Sequence, residues 1–126
     1  MALLTPLARV LGLGSAKEGV GHWWWQRMTA IAMVPLGIWF VLSLISLVGT
    51  EYEAATAWLQ SPLNAALFLF FVLAVYWHAA LGLQVVVEDY IHTEWLKMTL
   101  LISIKMLIAL ISAVSILLTL RIYLGA

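Results

Sequence analysis

Residues 76–92 read YWHAALGLQVVVEDYIH, Tyr76 to His92, an imidazole set inside a long apolar run that closes on two acids and a tyrosine. Counting outward from that run decides the fold. No residue between Glu53 and Glu88 is charged, none between Arg27 and Glu51 is, and between Lys97 and Arg121 only Lys105 is. A hydrocarbon core of ~30 Å needs about 20 apolar helical residues. Three transmembrane helices are therefore predicted, near 24–47, 62–87 and 96–123, because in lipid a helix satisfies its own backbone. The expected class is an all-α membrane protein, with residues 1–22 a cytoplasmic segment and 23–126 the three-helix membrane domain.

Composition agrees with the counting. Of 126 residues, 65% are hydrophobic and 10% charged, more apolar than a soluble domain of this size can carry. Six basic residues balance six acidic ones, so no basic surface points to nucleic acid. Cysteine is absent, which excludes disulfides, thiolate metal sites and iron–sulfur ligation within the chain. Any metal held here must use histidine or carboxylate. The first 22 residues, interrupted by Gly12, Gly14, Gly19 and Gly21, are too short for a further span. They lack a signal-peptide pattern, and GLGSAKEG lacks the Walker spacing of a phosphate loop.

Local signals mark the span ends. Ser61 before Pro62 suits an N-cap and first helical position, and Thr93 suits the cap of the third span. Trp23, Trp24, Trp25, Trp58, Trp95 and Tyr123 fall where an interfacial aromatic belt belongs. Arg9, Lys17 and Arg27 precede the first span, the first loop carries no Lys or Arg, and the second carries Lys97. The positive-inside rule then places the N-terminus and second loop in the cytoplasm and the C-terminus in the periplasm of a bacterial inner membrane, or their mitochondrial equivalents.

Within the second span, Asp89 follows His78 by eleven residues, three helical turns plus roughly 20°. Both lie on one side, about 16 Å apart along the axis, so with Asp89 at headgroup level His78 lies near mid-membrane. An imidazole there has two nitrogens that need partners. Gly82, one turn on and nearly on the same face, provides clearance. Two readings follow: a haem iron takes a ring nitrogen while the glycine clears the macrocycle, or Gly82 admits a neighbouring helix to which His78 hydrogen-bonds. A second haem ligand at that depth is absent from this chain, since His22 and His92 fall at the cytoplasmic interface. A six-coordinate haem would need a partner subunit. Glu88, Asp89, Tyr90 and His92 cluster at the interface, where a phenol can donate to a carbonyl oxygen or simply end a solvated helix.

At these residues the chain resembles the hydrophobic membrane-anchor (D) subunits of succinate dehydrogenase, respiratory complex II. The family pattern is a histidine, a glycine four residues on and an Asp-Tyr pair at eleven and twelve, as in His78, Gly82, Asp89 and Tyr90. The stretch GLGSAKEGVGHWWWQRMTAIAMVPL, Gly12 to Leu36, is similar to the start of alphaproteobacterial members, including Arg-x-Thr-Ala at the mouth of the first span. The resemblance implies that His78 is an axial ligand of haem b, shared with the cytochrome b556 subunit. It implies that Tyr90, with Asp89 beside it, binds ubiquinone, and that Arg27 and His22 approach the haem propionates. FAD and iron–sulfur clusters would lie only in partner subunits, and the chain would dock the flavoprotein and iron–sulfur subunits at the membrane lipids without catalysis of its own. Lys105 is read as an ammonium reaching the cytoplasmic interface. The rivals are a fumarate reductase anchor, a haemless anchor and a small transporter. The transporter would be expected to carry a midplane carboxylate, whereas every Asp and Glu here lies at a span end.

Overall fold

The computed structural model describes residues 13–126, with side chains from residue 20 onward. Arg9, the side chain of Lys17 and residues 1–12 of the expected cytoplasmic segment lie outside the described residues. The chain forms α1 (Leu13–Leu47), α2 (Tyr52–Gln60), α3 (Pro62–Tyr90) and α4 (Glu94–Tyr123), with no strand among the described residues. Three stretches are long and apolar enough to cross a membrane: Val20–Leu47, Pro62–Tyr90 and Glu94–Tyr123. At 29 and 30 residues, α3 and α4 are each roughly 45 Å long and extend past the hydrocarbon on at least one side.

The helices differ from the sequence expectation at their ends. Gly14, Gly19 and Gly21 do not interrupt α1, which runs unbroken from Leu13 into the membrane span. Glycine inside a helix costs about 1 kcal/mol relative to alanine, which weakens such a helix without stopping it. Helix α3 continues through Glu88 and Asp89, so Tyr90 is its last residue. Pro35 lies within α1; membrane helices tolerate this because neighbouring groups re-satisfy the freed carbonyl.

Ser61 and Thr93 occupy the expected cap positions with extended backbone, yet neither hydroxyl makes a capping hydrogen bond. Their main-chain carbonyls accept the first helical bonds, from Ala65 N–H to Ser61 O at 2.9 Å and from Lys97 N–H to Thr93 O at 2.9 Å. Helix α1 closes on a turn in which Thr50 N–H donates to Leu47 O at 3.1 Å, with Gly49 at φ +79°. A β-carbon at Gly49 would touch nothing within 4 Å, so only backbone conformation demands glycine. Gly49→Ala is expected to cost about 1–2 kcal/mol, read as a lower unfolding midpoint in detergent.

Helix α2 was not expected from the charge spacing. Its Trp58 stacks on Trp39 of α1 at 5.5 Å between ring centroids and meets Phe68 of α3 edge-on at 6.4 Å. Phe40 adds contacts to Phe68 and Phe71, and Gln60 Nε2 donates to Ile122 O at 3.2 Å. Aromatic packing thus pins the short helix across the end of the bundle opposite Tyr90.

Helix α3 occupies the middle of the row. It packs against α1 on one side and α4 on the other, while the two outer spans make no substantial contact with each other. Ala65, Ala74 and Val87 are the buried apolar residues, all on α3, and no described side chain is fully buried. Small residues let membrane helices approach closely, and lipid tails or a partner's helices cover the rest. Between α3 and α4 the Tyr76 and Ser115 hydroxyls lie 3.0 Å apart in a hydrogen bond.

Candidate functional site

His78 is half-buried on the face of α3 that meets α1. Opposite it stands Thr29, 8% exposed, with Oγ1 3.0 Å from His78 Nδ1. The same oxygen lies 2.8 Å from Trp25 O and 3.1 Å from Gln26 O. One turn away, Trp25 tilts against Trp77 with ring centroids 5.2 Å apart, bracketing the contact. The imidazole is therefore held along its Nδ1 edge, and among the described residues no group hydrogen-bonds Nε2. A β-carbon on Gly82 would meet nothing within 4 Å. The two halves of the helix-packing reading separate here: His78 does hydrogen-bond to a neighbouring helix, but among the described residues nothing occupies the clearance at Gly82.

Toward the start of α1, His22 and Gln26 lie one turn apart on the Thr29 side. Among the described residues, His22 Nε2 and Gln26 Oε1 are buried and have no hydrogen-bond partner. Such orphaned atoms lose hydration without compensation. Arg27 is elsewhere. It is about 140° round the helix from His22, exposed, with its guanidinium carbon 5.5 Å from the centre of the Trp23 ring. The structure thus brings His22 to the Thr29 face and leaves Arg27 on another.

Tyr90 is 77% exposed and Asp89 is exposed beside it. Among the described residues neither side chain makes a hydrogen bond, and none joins the two. Glu88 accepts from Gln84 Nε2 at 3.0 Å, and Lys97 pairs with Glu94 at 3.7 Å, so the neighbouring charges are engaged locally. The Tyr90 phenol and Asp89 carboxylate stand exposed at the end of α3. Lys105 borders a groove of about 610 Å³ between α3 and α4, lined also by Gln84, Trp77, Tyr76 and Ser112.

Among the described residues no three His, Asp or Glu side chains gather as a metal-ion site. A porphyrin carries its own equatorial nitrogens and asks the protein only for axial ligands, so a solitary histidine suffices on this side.

The profile described as the succinate dehydrogenase/fumarate reductase transmembrane subunit matches residues 1–118. The chain belongs to that family. Among its relatives is the succinate dehydrogenase hydrophobic membrane anchor subunit of Rickettsia bellii, 35% identical over 100 residues, 79% of this chain and 80% of the relative. The subunit of the same name from Paracoccus denitrificans is 29% identical over 104 residues, covering 82% and 81% of the two chains. The succinate dehydrogenase membrane anchor subunit of Porphyra purpurea is 32% identical over 113 residues, 90% and 94% of the two. No solved structure gives a significant match. The chain is thus a multi-pass membrane anchor of succinate dehydrogenase, a non-catalytic subunit of an enzyme complex.

Sequence reasoning placed His78, Gly82, Asp89 and Tyr90 on α3 but missed Thr29 as a partner of His78. The available signal was the Arg-x-Thr-Ala stretch, Arg27 to Ala30, whose threonine is the residue in contact.

Proposed function

We propose that this anchor, joined to a cytochrome b556 subunit, holds haem b through His78 and ubiquinone through Tyr90 and Asp89. It docks the flavoprotein and iron–sulfur subunits on the cytoplasmic face. The observation that carries the haem reading is one geometry: among the described residues His78 has Nδ1 satisfied, Nε2 without a partner and open space at Gly82. These residues fit the group, since one nitrogen is available and the adjacent face has the clearance a flat macrocycle needs. When bound, haem b supplies a one-electron carrier near mid-membrane.

The rest is the work of this chain's side chains. His22 Nε2, buried and without a partner among the described residues, can donate its N–H to a propionate oxygen. Arg27, a bidentate donor, would serve the other propionate, since the helix separates the two residues. At the interface the Tyr90 O–H donates to one quinone carbonyl, which polarises it toward reduction. Asp89, exposed beside it, relays protons from the cytoplasmic side toward the reduced oxygen. Electrons arrive from the partner subunits on the same side, so quinone reduction moves no net charge through the bilayer. The orientation follows from Arg27 and Lys97 at the Tyr90 end and the Lys- and Arg-free connection at the other.

Gly82→Leu tests the haem reading, because a β-carbon there meets nothing within 4 Å in this chain and leucine favours a helix. The purified complex is expected to lose its b-type reduced-minus-oxidised band while dye-linked succinate oxidation persists. A full band in the variant overturns the reading.

A further inference from the structure

The contact between α1 and α3 also fixes which nitrogen of His78 carries the proton. A threonine hydroxyl has one proton and two lone pairs, whereas backbone carbonyls only accept. Thr29 Oγ1 lies close to three acceptor-capable atoms: Trp25 O at 2.8 Å, Gln26 O at 3.1 Å and His78 Nδ1 at 3.0 Å. If the hydroxyl proton pointed at Nδ1, Oγ1 would face two carbonyl oxygens at hydrogen-bonding distance with no proton between them. Such bare contacts repel. The same arrangement would put the other ring proton on Nε2, for which the described residues offer no acceptor. If the hydroxyl instead donates back into its own helix, its proton is shared between the two carbonyl oxygens and the ring's Nδ1–H fills the third contact. A lone pair of Oγ1 then faces Nδ1–H, and the Nε2 lone pair points outward.

We propose that Thr29 is the positioning residue for haem ligation: by accepting the His78 Nδ1–H it fixes the tautomer that presents Nε2 to iron. This rests on the proposed haem role of His78 and specifies how that role is prepared. Thr29 suits the task because its hydroxyl is anchored by the helix's own carbonyls. At 8% exposure it is also shielded from competing water. Accepting a proton from the remote nitrogen raises the basicity of a metal-bound imidazole and orients its ring. A more basic ligand favours ferric over ferrous iron.

The test uses the purified complex carrying Thr29→Val, which keeps the shape and removes the acceptor, with Thr29→Ser as the conservative variant and His78→Ala as the reference. The valine variant is expected to shift the ferric/ferrous equilibrium about three- to tenfold toward ferrous, the scale of one neutral hydrogen bond. At 59 mV per tenfold for one electron this raises the midpoint potential by roughly 30–60 mV. The low-spin ferric electron paramagnetic resonance signal should move with it, and serine should restore both. Loss of haem from a valine complex that keeps dye-linked activity, restored by serine, equally supports the assignment. Where valine prevents assembly, Thr29→Ala removes the same acceptor with less bulk and is read the same way. An unmoved potential and spectrum in a haem-loaded variant lacking the hydroxyl, or a serine variant that restores neither, overturns the proposal. A wild-type complex without a b-type band, or a His78→Ala complex that keeps one, sinks the haem reading itself.

Discussion

His78→Ala is expected to yield a complex that assembles and oxidises succinate with an artificial dye but lacks the b-type absorption band. Assembly should survive because the substitution removes only a half-buried ring from the α1–α3 seam. Thr29 then retains its bonds to its own helix, at 2.8 Å to Trp25 O and 3.1 Å to Gln26 O, and the Trp25–Trp77 contact remains. Haem should be lost because His78 is the only histidine of this chain at mid-membrane depth; His22 lies near the start of the first span and His92 in the link between α3 and α4. A histidine shortened to alanine leaves a space shaped for imidazole. Imidazole in the buffer should therefore restore part of the band, whereas His92→Ala should leave it intact. An undiminished band in His78→Ala assigns ligation elsewhere.

What the sequence made legible follows from arithmetic along one helix. The shared side of His78, Gly82 and Asp89 needs only a turn of 3.6 residues, and the three spans need only gaps between charges. Contacts between helices are a different problem. That Thr29 meets His78 depends on the crossing angle and register of two helices whose apolar residues run all the way round, so periodicity selects no face. The exposed rows Ile31, Val34 and Leu42 on α1 and Leu110 and Leu117 on α4 illustrate this. In a soluble protein they would mark a core, and here they face lipid or a partner. The short α2 was hidden because its position is fixed by Trp39, Trp58 and Phe68 meeting across three helices. The cap residues were found by type and have the extended backbone of N-caps, but neither hydroxyl reaches a free N–H of its helix's first turn.

Tyr90→Phe separates the quinone reading from an assembly role. The phenol is 77% exposed and, among the described residues, bonds to nothing in this chain, so removing its oxygen takes no contact from the fold. Whatever the substitution costs must come from a molecule outside the chain. If that molecule is a quinone, its carbonyl oxygen gains negative charge during reduction, and a hydrogen bond to a charged acceptor contributes about 1.5–3 kcal/mol. Losing it should lower quinone reduction about 10- to 100-fold, while dye-linked succinate oxidation, which bypasses the membrane site, stays at the wild-type rate. The ratio of the two activities is the readout. A fall in both together would place Tyr90 in subunit docking, since a poorly docked complex loses electrons before any acceptor. Unchanged quinone reduction would return Tyr90 to the aromatic belt, where an exposed ring at a helix end needs no ligand. Asp89, exposed beside it, makes no hydrogen bond to the phenol among the described residues, so the loss of the Tyr90 donor is read separately from anything the carboxylate does.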